Sequence, residues 1–137
     1  MCAFSAVAEM SRMLFVILPF ICLPAKAEIL SLSCDGTMKA EEEQAKPHAI
    51  TKLALTVNFD ARVVTGFTAI TARINEINAN TVLFSGTTIH PSGAEWSVRG
   101  ILDRITGSLG ATVTWLNRRT NDLLMRMNYE LICNPTD

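Results

Sequence analysis

The sequence predicts an all-β domain that follows an export signal, built as a small antiparallel up-and-down barrel or a sandwich of about seven or eight strands. Three observations predict this class. A short apolar run stands near the start of the chain, apolar residues alternate with polar ones through most of residues 28–137, and two cysteines lie near the two ends of that region.

The first element is a leader. Arg12 precedes an unbroken apolar run (13–23), and Ala25 and Ala27 stand at the small-residue positions that a signal peptidase reads. As a helix the run would span about 16 Å, against a hydrocarbon core of ~30 Å, so a cleaved signal peptide (1–27) is favoured over an uncleaved anchor. Three methionines stay open as the start of translation: Met1, Met10 and Met13.

The elements after the leader are strands within a single domain (28–137). Alternation with period two is clearest at 53–59, 109–115 and 123–133, which indicates strands with one buried face and one wet face. Shorter candidate strands are 29–34, 63–67, 68–74, 81–85 and 96–102. Turn-forming residues separate these segments at spacings of roughly 8–12 residues. A polar segment near 38–49 carries few large apolar residues and is predicted to be a mobile loop.

The cysteine count indicates how the strands close. Four cysteines become two after removal of the leader, Cys34 and Cys133, and an oxidising compartment favours pairing them. Both lie on the predicted inward faces of the first and last strands. A disulfide bond would place these strands side by side, which is how an up-and-down sheet closes into a barrel. We therefore favour a barrel over an open sandwich.

Charge and length exclude several classes of partner. The chain has 12 basic and 13 acidic residues, and the part after the leader keeps a slight acidic excess. Because no basic excess is present, we expect no nucleic-acid partner. A barrel of the outer membrane would need strands of ~9–11 residues throughout and aromatic girdles, so we expect no stable membrane insertion after signal cleavage.

The sequence shows no constellation for chemistry, so we expect no cofactor, no metal site and no catalytic residue. His48 and His90 have no second ligand at metal spacing. Asp103 and Arg104, at a strand end, are suited to pinning a turn. Because function collects on loops, the candidate binding residues are Arg104, Trp96 and His90.

Four motifs carry a resemblance. They are Leu-Ser-Leu-Ser-Cys34-Asp-Gly36, Val64-Thr-Gly-Phe67, Leu102-Asp-Arg-Ile-Thr-Gly107 and Tyr129-Glu-Leu-Ile-Cys133-Asn-Pro135. Over most of the chain after the leader, this pattern resembles a group of small uncharacterised exported proteins of Gram-negative bacteria. The resemblance implies the same export route, to a periplasmic or secreted location, and carries no activity.

The expected function is non-enzymatic binding of a protein or small ligand. An alternative is a periplasmic enzyme inhibitor, because a small barrel tied near its ends is similar in architecture to the inhibitors of lysozyme. The chain shows no counterpart of their inhibitory loop. A hydrolase using loop carboxylates is the least favoured alternative.

Overall fold

The described residues form an antiparallel barrel of eight strands, which confirms the predicted class. This computed structural model describes residues 28–42, 44–67 and 69–136, so the predicted leader lies outside the described residues. The strands are β1 (Ile29–Ala40), β2 (His48–Asn58), β3 (Val63–Thr65), β4 (Ala72–Ile77), β5 (Thr81–Ile89), β6 (Ala94–Asp103), β7 (Ser108–Asn117) and β8 (Leu123–Pro135). Among these residues, no helix is long and apolar enough to cross a membrane.

Each strand pairs with the next one along the chain, and β8 returns to pair with β1. Closure removes the exposed strand edges that an open sheet would leave. The seam between β1 and β8 runs from Leu32 opposite Pro135 to Ala40 opposite Met127. Cys34 and Cys133 face each other in this seam and form the predicted disulfide bond, with Cα atoms 4.0 Å apart. The predicted link between first and last strand is confirmed.

The strands at the seam are longer than their apolar patterns. Met38 and Lys39 pair with Tyr129 and Asn128, so β1 continues to residue 40, and β2 begins at residue 48. The polar segment predicted at 38–49 is therefore reduced to a connection at 41–47. Backbone pairing between strands does not need large apolar side chains, which explains why the sequence pattern ended β1 too early and began β2 too late.

The barrel interior is filled with side chains. The period-two pattern turns apolar residues inward from every strand, and Phe84, Leu55 and Leu109 are among the fully buried ones. Phe67, from the β3–β4 connection, reaches across the interior and places its ring centroid 5.5 Å from that of Tyr129 on β8. An eight-stranded barrel has an interior just wide enough for side chains to fill, and this one is a packed core.

The strand pairing in the barrel wall is shortest between β3 and β4. β3 has three residues and pairs with β4 only at Val63–Arg73 and Val64–Ala72. The predicted strand 68–74 is wrong in its first half, because Ile70 donates its N–H to the carbonyl of Phe67 and closes a turn there. Phe67 and Ile70 are buried from this connection, which contributes to the core without extending the sheet.

The connections collect at two ends of the barrel. The β1–β2, β3–β4, β5–β6 and β7–β8 connections lie at one end, which we call the loop end. The three remaining turns lie at the other, the terminal end, together with Glu28 and Thr136. This division decides which of the predicted binding residues can act together.

Candidate functional site

Two of the three predicted binding residues lie together at the loop end. His90, in the β5–β6 turn, stacks on Trp96 of β6 with ring centroids 4.7 Å apart. Trp96 stacks in turn on Trp115 of β7 at 4.3 Å, because the two residues are directly opposite in the β6–β7 register. We call these three residues the aromatic stack. Trp115 was not singled out from the sequence, since its position opposite Trp96 depends on register.

The aromatic stack is held in place by its own turn and by its neighbours at the loop end of the barrel. The Ser92 backbone N–H donates to His90 Nδ1 at 3.2 Å, and His90 donates its own backbone N–H to the Ala94 carbonyl, so the imidazole is held by its turn. Both faces of the Trp96 ring are covered by its neighbours. The indole Nε1 atoms of Trp96 and Trp115 are buried and have no partner within the described residues. The central ring of the stack, Trp96, therefore offers a ligand no open face.

Arg104, the third predicted residue, lies at the terminal end. Its guanidinium donates to the Asn78 carbonyl at 3.0 Å and lies 5.3 Å from the centroid of the Phe59 ring. These contacts tie the β6–β7 turn to the β4–β5 and β2–β3 turns. Arg104 is thus separated by the length of the barrel from His90 and Trp96, and the three residues do not form one site.

Asp103 pins the β6–β7 turn. Its Oδ1 accepts the backbone N–H groups of Ile105 at 2.8 Å and Thr106 at 2.9 Å. These two hydrogen bonds, chiefly that from Thr106, lower the pKa of Asp103 because they favour the charged carboxylate. The carboxylate is therefore engaged in local structure.

The arrangement with most open hydrogen-bonding capacity lies on the outer face of β5–β8. Two adjoining depressions of about 610 Å³ and about 670 Å³ share four outward-pointing residues: Ser85, Arg99, Thr112 and Asn128. We call the combined depression the outer groove. The four residues come from four adjacent strands and lie directly opposite one another in register. The groove therefore runs across the strands.

Polar side chains continue from this centre in both directions along the strands. Towards the loop end the groove is lined by the hydroxyl residues Thr87, Ser97 and Thr114, and by the ion pair of Arg126 with Glu41 at 2.9 Å. Towards the terminal end it is lined by Leu83, Ile101, Gly110 and Glu130. The groove thus combines hydroxyl, amide and guanidinium groups with a small apolar floor.

Arg99 places an exposed, positively charged guanidinium at the centre of the groove. Thr112 Oγ1 donates to Asn128 Oδ1 at 2.9 Å, and Asn75 Nδ2 donates to Ser85 Oγ at 2.8 Å, so the amides are positioned by neighbours. Within the described residues, Arg99 is exposed and has neither a hydrogen bond nor an ion pair. Its guanidinium is available to a ligand.

Two glycines shape the strands at the groove. Gly100 faces inward, where a Cβ would run into the buried ring of Phe84, so the backbone of β6 lies directly against that ring. Gly110, on β7, has no atom within 4 Å of where its Cβ would lie, which leaves the floor of the groove open. Beneath the groove, burial raises the pKa of the Tyr129 phenol.

The described residues offer little to a metal ion, because they contain no group of three or more His, Cys, Asp or Glu side chains placed to hold one.

The outer groove is the site that sequence reasoning missed. Comparisons with protein-family models, with curated proteins and with solved structures find no match for this chain.

Proposed function

We propose that this chain is an exported, non-enzymatic binding protein of the periplasm or the secreted fraction, and that its partner binds the outer groove. The observation that carries the proposal is the contrast between the two faces of the sheet. The interior is filled by buried apolar side chains, whereas the outer groove presents hydroxyl, amide and guanidinium groups around Arg99, which has no ion pair within the part of the chain that the structure describes.

Export is supported by the disulfide bond and by the leader pattern. A bond between Cys34 and Cys133 persists in an oxidising compartment and is rare in the cytosol. The apolar run behind Arg12, followed by alanines at the cleavage positions, gives the route to such a compartment.

The polar loop residues support a binding role over a hydrolytic one, because their side chains are engaged in contacts within their own turns. The carboxylate of Asp103 accepts two backbone N–H groups of its own turn, and the imidazole of His90 is stacked on Trp96 and held by Ser92. Hydrolysis needs a general acid or base within hydrogen-bond reach of a substrate. Groups engaged in turns are poorly placed for that task.

The test is to fill the groove without disturbing the fold. Gly110→Trp adds a large side chain to the groove floor, where a Cβ meets no atom within 4 Å. Ala54→Trp is the matched control, because Ala54 is an exposed position on β2, on another wall of the barrel. Full-length chain carrying each change would be expressed with its leader, purified, and used to capture partners from periplasmic extract.

We expect the wild-type chain and Ala54→Trp to capture the same partner, and Gly110→Trp to lose it while retaining the wild-type melting temperature. Capture that survives in Gly110→Trp, or that is lost equally in both variants, would contradict the assignment of the groove. If the captured partner is an enzyme, its activity with and without added chain decides whether binding is inhibitory.

A further inference from the structure

We propose that the partner segment bound in the outer groove is an acidic stretch of a protein, with one carboxylate seated on Arg99 and a second on Arg73, which lies directly opposite Ser85 at the edge of the groove. This inference rests on the proposed function and adds the chemistry of the partner. It follows from a single row of side chains that crosses the outer face of the barrel.

The row is unbroken in the register of five strand pairs. Its members, in spatial order from β4 round to β1, are Arg73, Ser85, Arg99, Thr112, Asn128 and Lys39. Directly opposite residues on neighbouring strands point to the same face, so all six project outward. The row contains three cations and no acid, although the chain as a whole has a net charge of −1. We call it the cationic row.

The nearest acids do not neutralise its centre. Glu41, which lines the groove towards the loop end, is paired with Arg126. Glu130 lies two residues from Asn128 towards the terminal end and is directly opposite Gly110, two strands from the β6 strand that carries Arg99. Glu76, on β4, is directly opposite Leu83 and also lies two strands from β6. A carboxylate arriving at Arg99 therefore meets hydroxyl groups on both sides, from Ser85 and Thr112.

Arginine at this position favours a carboxylate. The guanidinium is planar and always charged, and its N–H groups form two parallel hydrogen bonds to a carboxylate. The Ser85 hydroxyl, on the neighbouring strand β5, accepts from Asn75 and can donate its own hydrogen to the same oxygens. The Thr112 hydroxyl already gives its hydrogen to Asn128. Arg99 and Ser85 thus supply a cationic fork and a hydroxyl donor for one acidic side chain.

The spacing of two of the cations favours an extended chain over a single small anion. At ~4.8 Å between strands, Arg73 lies roughly 10 Å from Arg99. Residues two to four apart along an extended peptide are separated by roughly 7–13 Å, which covers this spacing. Lys39 lies three strands from Arg99 on the other side, roughly 14 Å along the curved wall, and is outside that range. A single small anion would engage only one of Arg73 and Arg99.

The lining favours a peptide over an acidic polysaccharide. Among the described residues of the groove, the aromatic ones are Phe84 and Tyr129, and both belong to the inward set of their strands. The groove therefore presents no open ring face against which a sugar could pack. Hydroxyl and amide groups, by contrast, match the hydrogen-bonding groups of a peptide backbone.

The experiment measures binding of defined probes to purified full-length chain by calorimetry. The probes are a short peptide in which Glu alternates with Gly, the same peptide with Gln in place of every Glu, and polygalacturonate as the acidic polysaccharide. The variants are Arg99→Gln, Arg99→Lys and a matched control, Arg119→Gln, which removes an exposed arginine in the β7–β8 turn outside the groove.

We expect the Glu peptide to bind and the Gln peptide not to bind. Arg99→Gln should weaken binding of the Glu peptide by at least about tenfold, since a hydrogen bond to a charged group is lost. Arg99→Lys should lie between, Arg119→Gln should match the wild type, and added salt should weaken binding.

Equal affinities of wild type and Arg99→Gln for the Glu peptide, or binding of polygalacturonate without the peptide, would overturn the acidic-protein inference. Neither result bears on the Gly110→Trp capture experiment. Loss of capture in Gly110→Trp together with no effect of Arg99→Gln would keep the groove as the binding site and reject its proposed chemistry.

Discussion

Removal of the seam disulfide is the most direct test of how this barrel is held together. The change is the double substitution of Cys34 and Cys133 by alanine. Both cysteines are buried, so alanine avoids placing an unsatisfied hydroxyl in the core. The bond joins positions 99 residues apart, and it closes a loop that takes in most of the barrel.

The expected magnitude follows from that separation. In the chain-entropy model, a cross-link that closes a loop of about 100 residues stabilises the folded state by about 4.7 kcal/mol, because it restricts the unfolded chain. In a domain of slightly more than 100 residues each kcal/mol corresponds to a shift in melting temperature of about 4 °C, so the double variant should melt roughly 20 °C lower.

The assay is equilibrium unfolding in urea, followed by the fluorescence of Trp96 and Trp115, together with thermal melting. Reductant should destabilise the wild type and leave the double variant unchanged, which separates loss of the bond from loss of packing. A double variant that unfolds within about 1 kcal/mol of the oxidised wild type would refute the reasoning, since the bond would then be redundant with strand pairing.

Three further predictions concern single side chains. Gly100→Ala should destabilise the fold by about 1–3 kcal/mol in urea unfolding, because its Cβ would meet the Phe84 ring. Asp103→Asn should lower the melting temperature at neutral pH; since the folded pKa is lowered, this stabilisation is present above ~3.9 and is lost as the pH falls through the folded value. Trp96→Leu should abolish the exciton band of the Trp96–Trp115 pair in circular dichroism and reduce stability by about 1 kcal/mol.

Two of these have a control variant within the same chain. Gly110→Ala adds the same methyl group where no atom lies within 4 Å, and an equal loss in both variants would argue against the ring contact. Asp60→Asn changes an exposed carboxylate in another turn and should leave the pH profile intact. For the tryptophan pair, absence of an exciton band from the wild-type chain would argue against stacking of the two rings.

The class of fold could be predicted because its signals are local. Alternation with period two, turn residues at regular spacing and two cysteines on inward positions fixed the strands, their order and the closure at Cys34–Cys133. The ends of β1 and β2 and the position of β4 could not be predicted. They depend on pairing with Tyr129 and Asn128 and on the turn at Ile70, which are contacts between distant residues.

The candidate site was less predictable than the fold, because its residues come together only through the register of neighbouring strands. Arg99, Thr112 and Asn128 lie in three different strands, and each alone is an ordinary outward residue. They become one row only when the strands are aligned, and a shift of one residue would send each to the other face. Loop position, the signal used for His90 and Arg104, selects residues that stabilise turns here.

The disulfide bond at the seam also determines where the barrel can open locally. With Cys34 bonded to Cys133, β1 and β8 cannot separate, so fluctuations must open the wall elsewhere. The weakest alternative is the short β3, which shares only two residue pairs with β4, Val63–Arg73 and Val64–Ala72. Amide hydrogens of β3 and β4 should therefore exchange with solvent well before those of β6 and β7, and reduction of the disulfide should speed exchange at Leu32 and Leu131 selectively.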